Sequence, residues 1–149
     1  MGQRRRAREC ALQMLFQIDV TSTPPAEVFQ EFWIDQSPAD DVRAFAEGLV
    51  RGVAQQRRAL DAVLAGSSEH WRIERMAVVD RNVLRMAIYE LLWQPETPPA
   101  VVIDEAIEVA KRFGGEESGA FVNGVLDAVR RAFERGEIAT PSTDGDGLV

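Results

Sequence analysis

The sequence predicts an all-α protein built as two small helical bundles packed together, with about six or seven helices. Three observations predict this. Apolar residues recur at intervals of three and four along most of the chain, the period of a helix that buries one face. Glycine, proline and small polar clusters punctuate these segments at their ends. No run alternates apolar and polar residues as a half-buried strand would. At 149 residues and 46% hydrophobic the chain can bury a continuous core. We read it as one domain over residues 1–136, with helical groups at about 3–66 and 69–135 and a disordered tail at 137–149.

The first helix carries Ala7, Cys10, Ala11, Met14, Leu15 and Ile18 within one stripe at 100° per residue. Arg5, Arg8, Glu9, Leu12 and Phe16 fall on the opposite side, which that stripe does not need. Thr21 to Pro25 breaks the helix, and "AEVFQEFW" supplies a short second one. Ser37-Pro38 reads as an N-cap with proline at the first helical position. From Val42 the spacing persists to Gly66, as one helix or two with a bend. "GSS" at 66–68 ends it.

After a short turn of helix at "HWRIERM", Asp80 can cap a helix whose stripe is Val83, Leu84, Ala87, Ile88, Leu91 and Leu92. Pro95, Pro98 and Pro99 stop it and open the next, with Val102, Ile103, Ala106, Ile107, Ala110 and Phe113. Gly114-Gly115 is its C-terminal stop. A last helix starts at Ser118 or the preceding acids, runs through Val122, Val125, Leu126, Val129 and Phe133, and ends at Gly136.

Composition excludes several classes. No run approaches the roughly 18 to 20 apolar residues that span a bilayer, and no signal-peptide core follows the N-terminal arginines, so a cytoplasmic location is expected. One cysteine, Cys10, makes neither an intramolecular disulfide nor a thiolate metal cluster, and the lone His70 has no ligand partner beside it. "FGGEESG" lies between helices with no strand feeding it, so it is no phosphate-cradling loop. The paired acids are adjacent and diverge by about 100° on a helix, which suits caps better than acid-base dyads. An enzyme is not expected, and no cofactor or metal is implied.

Charge points elsewhere. The net charge is -7, yet residues 1–17 hold Arg4, Arg5, Arg6 and Arg8 against Glu9 alone. Exposed charges more than a Debye length apart, about 8 to 10 Å, are largely screened, so a basic end on an acidic body can still hold an anion. Single-stranded RNA is held by arginine contacts to phosphate and by stacking on aromatic rings. The first helix offers both, with Phe16 and Leu12 beside the arginines and Gln13 placed to read a base edge. Phe121 lies on the flank of the last helix, about 100° from its stripe, behind the small residues Ser118, Gly119 and Ala120. The outward positions of the Asp80–Glu90 helix, including Asp80, Arg81, Arg85 and Glu90, make a candidate protein-binding face.

"RRRAREC", "VLRMAIYEL" and "PAVVIDEAIEVAKRFGGEESGAFVNGVLD", in that order and at these distances, resemble the NusB family of bacterial transcription antitermination proteins, from Arg4 to about Val129. The resemblance implies an adaptor without catalysis that holds boxA RNA of nascent ribosomal RNA together with NusE, a small-subunit ribosomal protein. Other Nus factors and RNA polymerase are then engaged indirectly. By position it assigns RNA contact to Arg4, Arg5, Arg6, Arg8, Phe121, Lys111 and Ser118, and the NusE-facing helix to Asp80, Arg85 and Glu90. Phe16 stands where a tyrosine is frequent, keeping stacking without the hydroxyl. "SGAF" lacks the bulkier residues common before the aromatic, a change expected to weaken RNA binding or loosen that helix start. Some members self-associate through the RNA surface, and an exposed Leu12 with Phe16 makes a homodimer an alternative. Similar domains also accompany ribosomal RNA methyltransferases, a further alternative as an accessory docking domain.

Overall fold

The computed structural model describes residues 2–67 and 72–138. Seven α-helices and one 3-10 turn are found there, with no strand among the described residues: α1 (Gly2–Thr21), α2 (Pro25–Phe32), α3 (Asp40–Gln55), α4 (Arg57–Ser67), the turn Ile73–Arg75, α5 (Val78–Trp93), α6 (Pro99–Gly114) and α7 (Glu116–Glu134). His70 and the tail from residue 139 onward lie outside the described residues.

The boundaries follow local chemistry. α1 ends where the Thr21 hydroxyl donates to the Gln17 carbonyl and Ser22 turns to φ 62°. α2 and α6 both open on proline, whose missing N–H costs nothing in a first turn. Ser37 does not cap α3. The helix starts at Asp40 with Ala39 before it, and Asp40 and Asp41 supply the favourable charge in its first turn. Asp80, likewise expected as a cap, sits inside the first turn of α5. The long segment after Pro38 is two helices, parted at Gln56 and not at either internal glycine. Gly52 has a different role, because a Cβ there would run into the Tyr89 ring. Gly115, at φ 90°, turns the chain from α6 into α7 in a conformation that favours glycine.

α5 is the central helix. It touches α1, α3, α4, α6 and α7 and buries Asn82, Val83, Leu84, Arg85, Met86, Ala87, Ile88, Glu90 and Leu92. A helix buried on nearly every side has no outward face for most of its length. α1 lies across the molecule, against α2 and α3 on one side and α5 and α6 on the other. α4 rests more on α5 and α7 than on α3. The buried apolar side chains, from Ala7 to Val129, form one cluster.

Candidate nucleic-acid interface

Two hollows lie on one side of the molecule. The first, about 350 Å³, is lined by Leu12, Gln13 and Phe16 of α1, Val79 of α5 and Phe113 of α6. The second, about 320 Å³, is lined among others by Arg75, Asp80, Gly114, Glu117, Ser118 and Phe121. Val79 and Asp80 are consecutive, as are Phe113 and Gly114, so the two hollows are neighbours, and together they make the candidate groove. Phe16 is 40% exposed at one end, and Phe121, half-buried, walls the other. Gln13 is exposed; Arg6, two turns earlier on α1, is exposed too but lines a separate hollow with Gln3 and residues 35–39, and the buried Glu9 and Cys10 lie between the two.

The four N-terminal arginines part company. Arg8 is buried, donating two 2.8 Å hydrogen bonds to Glu90. Arg5 forks onto Glu105 of α6 at 2.6 and 2.9 Å. The hydrogen bond from Arg5 holds the Glu105 carboxyl below its ordinary pKa against the opposing effect of burial, and the Arg5 and Arg8 charges add to it. Arg4 and Arg6 remain exposed. The Arg4 guanidinium lies 4.1 Å from the Phe45 ring centre, and Arg6 donates to the neutral Gln36 amide oxygen at 2.9 Å. The sequence places four cations on one patch; the fold leaves Arg4 and Arg6 without an ion pair among the described residues.

Further expectations change. Leu12, placed opposite the buried stripe, is itself 2% exposed, because α5 and α6 cover a second side of α1. Self-association through an exposed Leu12 is therefore not available. Ser118 is buried, its hydroxyl donating to the Gly114 carbonyl at 3.1 Å. Gly119 is buried too, and its missing Cβ admits the Lys111 stem. Ser118 and Gly119 thus pack α7 against the end of α6, while Ala120 is exposed. Lys111 is half-buried, its ammonium 3.7 Å from Glu108.

Of the three residues assigned to a partner protein, Arg85 and Glu90 are buried at 3% and 2% exposure. Arg85 donates to Asp61 at 2.8 Å and Asp19 at 3.2 Å, and Glu90 accepts from Arg8. Neither is an outward contact, because each finds its counter-charge on another helix. Asp80 stays half-buried in the second hollow, its Oδ1 buried with no hydrogen-bond partner among the described residues.

Sequence reasoning missed Arg75 as a groove residue and Asp19 as a charge hub. Asp19 accepts from Arg81 at 2.7 Å, Asn82 at 2.9 Å, Arg85 at 3.2 Å and Arg57 at 3.3 Å. Burial pushes its carboxyl up, but these hydrogen bonds and the charges of Arg81 and Arg85 outweigh it and bring it down to about 2. A helical wheel carries no signal for such pairings, since the partners stand on other helices.

A model of the NusB family matches residues 5–131. The transcription antitermination protein NusB of Anaeromyxobacter dehalogenans is 55% identical over 129 residues, 86% of this chain and 90% of that protein. That of Geobacter sulfurreducens is 48% identical over 130 residues, 87% of this chain and 94% of that protein. Among solved structures, T. maritima NusB superposes with a TM-score of 0.80 at 37% identity, covering 91% of this chain and 97% of that one. A chain from the crystal structure of antitermination factors NusB and NusE in complex with dsRNA gives a TM-score of 0.80 at 29% identity, covering 89% and 98%.

Proposed function

The chain belongs to the NusB family, and from that premise we propose that it is a transcription antitermination factor, a non-catalytic adaptor that binds boxA RNA of nascent ribosomal RNA together with NusE. The observation that carries this reading is the groove. Phe16, Gln13 and Phe121, three positions expected to meet RNA, line it from one end to the other. The exposed cations Arg4 and Arg6 stand on the first turns of the helix that also carries Gln13 and Phe16.

The chemistry fits an unpaired or locally opened strand. Aromatic side chains offer faces for stacking, and an arginine holds a phosphate without selecting a base. With Arg4 and Arg6 the N-terminal arginines that hold no ion pair among the described residues, this end offers few phosphate contacts, and NusE is expected to supply more of the surface. Asp80 is the member of the Asp80, Arg85, Glu90 set that lines a surface hollow, so we assign the NusE-facing contact to Asp80 and its neighbours. The similar complex of NusB, NusE and dsRNA supports both partners.

Acting on nascent transcripts places the protein in the cytoplasm, and no helix among the described residues is long and apolar enough to cross a membrane. The decisive experiment is titration of labelled boxA RNA with this protein, with and without NusE, at two salt concentrations. Tight, salt-sensitive binding that requires NusE is the expected result. RNA binding indifferent to NusE would sink the adaptor reading.

A further inference from the structure

The groove does not end at Phe121. Its second hollow is closed on one side by Arg75, the last residue of the 3-10 turn. Arg75 and Arg72 are both exposed, and among the described residues neither guanidinium forms an ion pair or hydrogen bond. The Arg75 N–H donates to the Arg72 carbonyl at 2.9 Å, which closes the turn. Residues so bonded lie within roughly 7 Å of one another. This pair contrasts with Arg5 and Arg8, whose charge is spent on Glu105 and Glu90.

We infer that Arg75, with Arg72 beside it, is a second phosphate anchor for RNA, at the Phe121 end of the groove and on a different element from Arg4 and Arg6. The inference rests on the RNA-binding reading above and extends it to residues that reading does not use. A strand lying in the Gln13 and Phe16 hollow and continuing past Val79 and Phe113 reaches the hollow of Phe121, whose lining includes Arg75. Guanidinium groups without a carboxylate partner among the described residues, on the same molecule as an aromatic-lined groove, match a polyanion carrying stackable bases better than an acidic peptide, which has no use for the rings.

The test compares parent protein with Arg72→Ala/Arg75→Ala and with Arg4→Ala/Arg6→Ala, each bound to NusE, in titrations of boxA RNA across a salt series. Both variants remove exposed side chains that hold no buried contact, and unchanged thermal unfolding would establish that each is folded. For single strands each lost phosphate contact flattens the log K against log salt slope by about 0.7. The Arg72/Arg75 variant is therefore expected to lose about 1.4 from that slope and on the order of tenfold in affinity at low salt. NusE affinity in the absence of RNA is measured for each variant, so that a loss at the RNA is read apart from a loss at the Asp80 contact, which shares the hollow with Arg75. A parent-like slope in this variant, with a flattened one in Arg4/Arg6, overturns the second anchor and leaves the RNA reading standing. Weakened NusE binding with an unaltered RNA slope overturns it in favour of an acidic protein contact. No RNA binding by the parent complex removes both readings together.

Discussion

Arg8 on the first helix and Glu90 on the central helix, 82 residues apart, meet through two hydrogen bonds of 2.8 Å with side chains 4% and 2% exposed. Removing one partner strands a buried charge, a loss of about 3 to 5 kcal/mol. Arg8→Ala and Glu90→Ala are each expected to lower the denaturation midpoint sharply by urea titration. An Arg8→Met/Glu90→Leu double variant should be far less destabilised than either. If Arg8→Ala kept parent stability, the pair would not be the tie between α1 and α5 that the geometry describes.

RNA binding should separate the arginines that the sequence groups together. Arg6→Ala is expected to flatten the salt dependence by about 0.7, one single-strand phosphate contact. Arg5→Ala acts chiefly by freeing Glu105, so it should cost affinity through added negative charge beside the groove. An Arg5→Ala/Glu105→Gln pair should then recover most of that loss. Titrations of the NusE complex at several salt concentrations distinguish these outcomes.

Asp19 makes stability pH-dependent at the acid end. Its carboxyl is lowered from an ordinary 3.8 to about 2, so the folded state binds the proton more weakly than the unfolded state. Its contribution is complete above the unfolded value, declines as pH falls below about 4 and is gone below about 2. At 1.36 kcal/mol per pKa unit the shift corresponds to about 2 kcal/mol. Asp19→Asn should remove that part of the acid limb when unfolding free energy is measured from pH 7 to pH 2. A parent and variant losing stability in parallel over that range would contradict the role of Asp19.

Two glycines of α3 should respond in opposite directions to the same substitution. A Cβ at Gly52 would overlap the Tyr89 ring, which stacks on Trp93 at 5.7 Å between centres, and overpacking of this kind costs about 1 to 3 kcal/mol. Nothing lies within 4 Å of a Cβ at Gly48. Gly48→Ala should gain up to about 1 kcal/mol from helix propensity. Thermal unfolding with near-UV circular dichroism reads both effects, because Gly52→Ala must also disturb the Tyr89–Trp93 pair.

Much was legible in the sequence because the information is local. The buried stripe of α1 from Ala7 to Leu15, the proline start of α6 and the glycine at 115 each depend on neighbours within a turn or two, and each stands where the pattern put it, whereas α2 takes in Pro25, which the pattern read as a breaker. So did the family, since "EAIEVAKRFG" and "FVNGVLD" are read in one dimension. Gln13, Phe16 and Phe121 could be singled out because they lie off the apolar stripes of their own helices.

What the sequence determined by itself was the all-helical class, most helix positions with the stripe each must bury, and the aromatic residues left over; whether residues after Pro38 form one helix or two was decided by the structure. Only the tertiary structure decided which charges stay available to a partner. A single helix's period shows one buried face but not how many neighbours will cover the others. α1 and α5 are covered on several sides, which takes Leu12, Arg8, Arg85 and Glu90 out of reach. Their counter-charges come from helices distant in sequence, and burial of an ion is tolerable only where such a partner is held in place. Arg6 and Arg75 face solvent without a carboxylate partner among the described residues, and that difference arises from packing, since all of these residues are arginines in the same chain.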